Sequence, residues 1–291
     1  MAAVTLSPAI ETPPHWRRAV VGGVAGKLGI VLLLIGAGVA LLGPYVAPYA
    51  PTSLAGLPLD PPSADHWLGT DQLGRDVLSR VLHGGRSVLI LAALAVAVTF
   101  AIGGPLGLLA GYRGRTLDAV MSRVADVMMS VPPLILVLIF VFVVGSSNLS
   151  IVLLTGLVTA PRVFRIVRGA TQSMAEQDYV LAARARGERT ADIIGRELLP
   201  NVTGPLLTEA AIRLNFSIMF IATLNFLGLG VQPPSSDWGL MVSEGRVYLG
   251  QSPLISVAPA LAIAVLTIGI NLVSDQIGAH LARNTSGHAD L

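Results

Sequence analysis

Apolar residues occur along the chain in long blocks that polar stretches separate, and this alternation predicts the fold. A helix needs about 20 mostly apolar residues to cross a bilayer, at a rise of about 1.5 Å per residue. The blocks that reach this length run approximately over Leu28–Ala47, Ser87–Ala110, Val124–Val144, Leu149–Val167, Leu206–Gly228 and Pro253–Ile277. The sequence therefore predicts an all-α, polytopic integral membrane protein with about six transmembrane helices.

The polar stretches between these blocks set the organisation of the chain. We expect residues 1–27 and 281–291 to form tails on a transmembrane domain that spans residues 28–280. Three longer stretches interrupt the domain, and they cover residues 43–86, 171–204 and 229–252. In the first, the apolar residues between Val77 and Leu82 share one helical face, which predicts a short amphipathic helix on the membrane surface.

The basic residues predict the orientation, because the cytoplasmic loops of membrane proteins carry an excess of Lys and Arg. With an even number of spans both termini lie on one side. Placing them in the cytoplasm puts most of the 19 Lys and Arg residues inside and leaves Arg75, Arg80, Arg86 and Arg246 outside. We therefore expect both termini and the stretch 171–204 in the cytoplasm, and the stretches 43–86 and 229–252 on the external side.

The composition agrees with a protein whose solvent is the bilayer. The chain is 53% hydrophobic and 12% charged, with a mean hydropathy of +0.72, whereas soluble domains carry about 25% charged residues. The formal charge is only +2 and the basic residues are dispersed, so topology explains them better than a nucleic-acid surface. The chain has no cysteine, which excludes disulfides, thiolate metal ligands and a cysteine nucleophile.

The cytoplasmic stretch has the pattern of a helix-turn-helix. Gly187 suits a left-handed turn after a first helix. Thr190 is placed to cap a second helix, Asp192 complements its positive end, and Pro200 predicts where that helix stops. Small side chains on the first helix would let another protein approach closely, and they are Ala182, Ala183 and Ala185.

This stretch resembles the cytoplasmic loop of the membrane subunits of bacterial binding-protein-dependent ABC importers, whose pattern is E-A-A-x3-G-x9-I-x-L-P. The pattern falls on Leu181, Ala182, Ala183, Gly187, Glu197, Leu199 and Pro200. Leu181 and Glu197 depart from the glutamate and isoleucine of the family. Two more stretches, His66–Leu89 and Phe226–Leu249, are similar to the C-type subunit of importers for dipeptides, oligopeptides and nickel.

The resemblance implies an ABC importer type I permease fold in the bacterial cytoplasmic membrane. It implies a permease subunit that translocates short peptides and is coupled through the loop to separate ATPase subunits. The implied coupling residues are Tyr179, Leu181, Ala182, Ala183, Gly187, Leu199 and Pro200. The implied partners are a second homologous permease subunit, two ABC ATPase subunits and an extracytoplasmic peptide-binding protein, besides membrane lipid. The same architecture importing nickel or another small solute stays an alternative.

Catalysis within this chain is not expected. Its only lysine, Lys27, does not lie in a phosphate-binding loop. The five histidines lack metal-ligand spacing, and there is no G-x-S-x-G elbow. We therefore predict no metal, no cofactor and no enzymatic activity. A secondary transporter would need an inverted repeat, and a membrane enzyme would need clustered ionisable residues; the sequence shows neither.

Some polar residues outside the loop have two interpretations each. Asp71, Arg75, Asp76 and Trp238 would form an external partner surface, or else, with Arg80, exposed ion pairs and an interfacial aromatic anchor. Asn215, Asn225 and Asn271 would line the pathway or pack helices together. Glu209 and Arg213 are one helical turn apart, which favours a mutually neutralising pair.

Overall fold

The computed structural model describes residues 23–286, so the predicted tails lie largely outside the described residues. Their helices are α1 (Val24–Val46), α2 (Val77–Arg113), α3 (Arg115–Ser130), α4 (Pro133–Val144), α5 (Asn148–Ala175), α6 (Asp178–Ala185), α7 (Thr190–Asp192), α8 (Leu199–Phe226), α9 (Trp238–Gly245) and α10 (Leu254–Ser286). A π-helical segment, Ile193–Leu198, joins α7 to α8, and a 3-10 turn, Arg246–Tyr248, follows α9. The all-α prediction is confirmed.

Five of the described helices are long and apolar enough to cross a membrane, and α3 with α4 makes a sixth span if the bent pair is counted as one. The predicted span over Val124–Val144 is not one continuous helix, because α3 and α4 meet at an angle of 88°. The physical reason is the pair Pro132–Pro133. Proline lacks an amide hydrogen and pushes the preceding residue into extended backbone, and Val131 is indeed extended, with ψ of 133°.

The predicted separate amphipathic helix before the second span is also wrong. Residues from Val77 onward form one uninterrupted helix, α2, that continues to Arg113. Asp76 caps its start by accepting a hydrogen bond from the Ser79 amide at 2.7 Å. Val77 and Val81 are buried against Met241 and Ile255. The apolar face therefore packs inside the protein, where sequence periodicity alone would have allowed it to face lipid.

Close helix packing holds α2 against α5. A Cβ atom at Gly103, Gly107 or Gly111 would lie within 2.8 Å of a backbone oxygen of α5. Small residues at this spacing let two helix backbones approach in an apolar environment. The Thr99 and Thr159 hydroxyls meet at 2.6 Å across the same contact. The pair α2 and α5 therefore forms a closely packed centre of the bundle.

Candidate functional site

Residues 176–200, which we call the α6–α7 hairpin, lie between α5 and α8 at one end of the bundle. Gly187 has a φ of +76°, which confirms the predicted left-handed turn. The Gly187 amide donates to Arg184 O at 2.9 Å and the Glu188 amide donates to Ala183 O at 3.2 Å. This pair of bonds is the Schellman arrangement that ends a helix at glycine. A side chain at this position would strain the turn even though open space surrounds it.

Two expectations about the second half of the hairpin are wrong. Thr190 is the first helical residue and not the cap; Arg189 holds the cap position and no side chain caps the helix. Pro200 does not end the helix, because the chain continues through it into α8. The preceding π-helical turn accommodates this proline: the Leu199 amide reaches back to Ile194 O, and the Asn201 side chain donates to Glu197 O at 2.6 Å.

The hairpin has an apolar inner face that attaches it to the bundle. Val180 and Ala183 are fully buried against Ile193 and Leu198. Ala183 was expected on the outer surface, and the structure turns it inward because it shares a helical face with Val180. Tyr112, at the end of α2, packs on the same cluster. The hairpin is therefore packed against the end of α2.

The exposed side of the hairpin carries apolar side chains among charged ones such as Arg184 and Arg186. Tyr179 is 38% exposed, Leu181 46% and Leu199 41%, and Ala182 lies exposed among them. Exposed large apolar side chains grouped on one short element are typical of a protein contact surface. The predicted residues at positions 179, 181, 182 and 199 are thus exposed, whereas Ala183 is buried.

A cation–π contact that sequence reasoning missed fixes the hairpin to α2. The guanidinium carbon of Arg184 lies 4.4 Å from the centroid of the Tyr112 ring, and its Nε donates to the Tyr112 hydroxyl at 3.2 Å. The two residues are 72 positions apart in the chain, so no local sequence pattern predicts the contact.

The other end of the bundle carries a compact region, residues 47–86 with 229–252, which we call the loop cap. Several of its ionisable residues are buried: Asp71 is 0% exposed and Arg75 3%. The Asp71 carboxylate receives Arg75 Nε at 2.6 Å and Arg80 Nη1 at 2.7 Å, and Glu244 receives Arg80 Nη2 at 2.9 Å. Asp76 is likewise buried, 3.2 Å from His66 Nδ1. These side chains form an internal framework and no exposed ion pairs; contact between the loop cap and a partner stays a prediction.

Trp238 is also internal and is not an interfacial anchor. It is fully buried, and its indole Nε1 donates to Val81 O at 2.7 Å. A Cβ atom at Gly85 would lie 2.5 Å from the Trp238 ring, so this close contact requires glycine. Trp238 therefore joins α9 to the start of α2.

Asp237, just before Trp238, organises the turn that precedes α9. Its Oδ1 accepts from the Asn225 side chain at 2.8 Å and from the Gly239 amide at 2.9 Å, and Asn225 in turn accepts from the Val231 amide at 3.0 Å. Burial raises the pKa of the Asp237 carboxyl above its ordinary value, against the opposing effect of these hydrogen bonds. Asn225 is thus a structural residue of the loop cap.

The remaining polar residues lie along α5, α8 and α10. The Asn215 side chain donates to Asn271 at 2.9 Å, which joins α8 to α10. Glu209 and Arg213 form the predicted ion pair. The guanidinium carbon of Arg162 lies 5.4 Å from the centroid of the Phe216 ring. Among the residues that the structure describes, no group of three or more His, Asp or Glu side chains could hold a metal ion.

Comparison with known proteins agrees with this architecture. The sequence profile of the family described as "Binding-protein-dependent transport system inner membrane component" matches residues 103–287. The chain is 34% identical to the dipeptide transport system permease protein DppC of Alkalihalophilus pseudofirmus, over 89% of this chain and 87% of that protein. It is 34% identical to the glutathione transport system permease protein GsiD of Pectobacterium atrosepticum, over 91% and 89%. A solved inward-facing structure of the MetNI methionine ABC transporter has a similar fold, with a TM-score of 0.55, 21% identity, and coverage of 68% of this chain and 94% of that chain.

Proposed function

We propose, because this chain belongs to the family of inner membrane components of binding-protein-dependent transport systems, that it is the permease subunit of an ATP-driven importer of short peptides. Two cytoplasmic ATPase subunits supply the energy, and a second, homologous permease completes the pathway. An extracytoplasmic binding protein delivers the cargo. The pair of permeases alternates between outward-open and inward-open states, and ATP shifts the balance between them.

The observation that carries this proposal is the exposed side of the α6–α7 hairpin, which carries large apolar side chains. Tyr179, Leu181 and Leu199 are exposed on a hairpin whose other face is attached to α2 and α8. A cleft on an ATPase subunit that receives this face can pull on the helices of the pathway directly. The hairpin therefore acts as the mechanical connection between ATP hydrolysis and transport.

The proposed orientation follows from the same hairpin. The ATPase subunits lie in the cytoplasm, so the hairpin lies there too and the loop cap is external. Counting α3 and α4 as one bent span makes six spans, and both termini are then cytoplasmic. The excess of arginine on the hairpin side supports this assignment.

The peptide cargo is supported by the relatives. Proteins about one third identical to this chain over most of its length are named for the transport of dipeptides, and another for glutathione. Helices α5 and α8 carry polar and charged side chains midway along their length, which an apolar bundle retains for a pathway or for packing.

The test is ATP-driven uptake by the complete importer in proteoliposomes, with Gly187→Val in this chain. A β-branched residue in the left-handed turn strains the backbone by about 1–2 kcal/mol, so the docked hairpin becomes about tenfold less populated. We expect peptide uptake per ATP hydrolysed to fall by a similar factor while the subunit still assembles in the membrane.

Gly169→Val provides the matched control. Gly169 is an exposed glycine in α5 with open space around its Cα and no positive φ, so this variant should transport like the unmodified importer. Unchanged transport by Gly187→Val would contradict the coupling role of the hairpin. Failure of the unmodified importer to take up any peptide would contradict the proposed cargo.

A further inference from the structure

Helix α5 carries three arginines on successive turns, and only one of them lacks an acidic partner within the described part of the chain. Arg165 pairs with Asp126 and Arg168 pairs with Asp118, both on α3. Arg162 has no carboxylate within ion-pair distance among residues 23–286. It lies near the middle of α5, well away from the hairpin and from the loop cap.

The surroundings of Arg162 orient its guanidinium without neutralising it. The guanidinium stacks over Phe216 of α8, 5.4 Å from the ring centroid. Arg213 and Glu209, also on α8, act electrostatically on Arg162, and these two already form an ion pair. The group of three therefore has one positive charge in excess.

An unpaired positive charge at this depth is unfavourable in an apolar bundle. Ionisable residues within membrane-spanning helices face the interior or a water-filled cavity and mark paths for ions and substrates. Arg162 is half-buried and keeps part of its side chain accessible. An arginine fork also matches a carboxylate with two parallel hydrogen bonds. An anion from outside this chain would compensate this charge.

We infer that Arg162, held by Phe216 and by the Arg213–Glu209 pair, binds the carboxylate of the peptide as it passes along the pathway. This inference rests on the proposed function, since it takes the cargo to be a peptide. The carboxylate is either the free carboxyl terminus or an acidic side chain, because both have the same chemistry. Contact with a carboxylate of the second permease is the competing explanation for the unpaired charge.

The test compares Arg162→Gln with the unmodified importer in proteoliposomes, using one peptide with a free carboxyl terminus and the same peptide amidated. The peptide has no acidic side chain, and binding to the extracytoplasmic protein is measured first so that both forms are used at saturation. We expect Arg162→Gln to lower uptake of the free form about tenfold, in line with the loss of a charge-assisted hydrogen bond. Uptake of the amide should be the same in both importers.

Two variants and one independent measurement separate binding from structure. Arg162→Lys keeps the charge and should restore part of the uptake of the free peptide. Arg165→Gln removes the same charge one turn further along α5, where the pair with Asp126 is half-exposed, and should have little effect. Stimulation of ATP hydrolysis by the loaded binding protein should be unchanged in Arg162→Gln, which shows that assembly and coupling are intact.

The outcomes distinguish the explanations. An equal loss for both peptide forms, without rescue by lysine, would assign Arg162 to the interface with the second permease and overturn the inference. Uptake of both forms at the unmodified rate would overturn it as well, while leaving the peptide importer standing. An amidated peptide that carries one aspartate identifies which carboxylate binds. If its uptake depends on Arg162, the site accepts any carboxylate. If its uptake does not depend on Arg162, the site is specific for the carboxyl terminus.

Discussion

The loop cap and the α6–α7 hairpin lie at opposite ends of α5 and α8, and different forces hold them. In the loop cap, Arg80 is 1% exposed and bridges two carboxylates from distant parts of the chain. In the hairpin, a small cluster of buried apolar residues around Val180 attaches one side to the bundle, while Leu181 on the other side is 46% exposed. The loop cap uses its charged groups for internal contacts, whereas the hairpin presents apolar side chains to its surroundings.

The difference shows two roles for residues of this protein: some fix the fold, and others are available for contact with another subunit. A buried ion-pair network fixes the geometry of a segment, because removing either partner leaves a charge without compensation. An exposed apolar face contributes little to the fold and remains available to another subunit. The comparison predicts that equivalent substitutions will change stability in the loop cap and change assembly in the hairpin.

The largest change in the free energy of unfolding is expected for Asp71→Asn. The variant leaves Arg75 and Arg80 with Glu244 as the one remaining carboxylate of the network, so a buried positive charge is uncompensated. Breaking a buried pair in this way destabilises by about 3–5 kcal/mol. Thermal unfolding of the purified subunit in detergent measures the loss.

Asp126→Asn is the matched control for Asp71→Asn. It breaks the ion pair with Arg165. The Arg165 side chain is 50% exposed and the Asp126 side chain 45%, and exposed pairs of this kind contribute less than about 1 kcal/mol. Equal unfolding temperatures for the two variants would mean that the network does not hold the loop cap in place.

A smaller, pH-dependent effect is expected for Asp237→Asn. Burial raises the pKa of Asp237 in the folded protein above its ordinary value of 3.8, so the folded state retains a proton that the unfolded state has released. The stabilisation from this group is therefore complete below pH 3.8 and is lost as the pH rises through the raised pKa. Each unit of pKa difference corresponds to about 1.4 kcal/mol.

Asparagine cannot ionise and still offers an oxygen to Asn225 and to the Gly239 amide. The variant should therefore gain stability relative to the unmodified protein as the pH rises from 3.8 towards neutrality. Unfolding temperatures of both proteins across that range measure the gap. A gap that stays constant with pH would show that Asp237 is ionised to the same extent in the folded and unfolded states.

The sequence predicted the helical blocks and the Gly187 turn because both depend on local patterns. It also contained the signal for the break between α3 and α4, in Pro132 and Pro133, although the apolar run around them suggested one helix. The inward direction of Ala183 could not be predicted, because an alanine-rich helix gives little indication of its buried face.

The loop cap network was beyond local reasoning for a different reason. Arg80 and Glu244 are 164 positions apart, and only the tertiary fold brings them together. A run of charged residues such as Asp71, Arg75 and Asp76 has the same appearance in sequence whether it is exposed or buried. The same limit applies to Arg162, because only the tertiary positions of α3 and α8 show that no described carboxylate pairs with it.

The smallest change in stability is expected for Ala182→Trp, on the outer face of the hairpin. Ala182 is exposed, so the substitution should alter the free energy of unfolding by less than about 0.5 kcal/mol. The same bulky side chain would prevent close approach of an ATPase subunit, and we expect affinity for that subunit to fall more than about tenfold. Co-purification with the ATPase subunits measures the affinity, and Ala182→Ser, which keeps the surface small, should bind normally. A tryptophan variant that still binds the ATPase subunits while its own fold is destabilised would reverse the comparison, because the outer face of the hairpin would then belong to the interior of this chain and not to an interface.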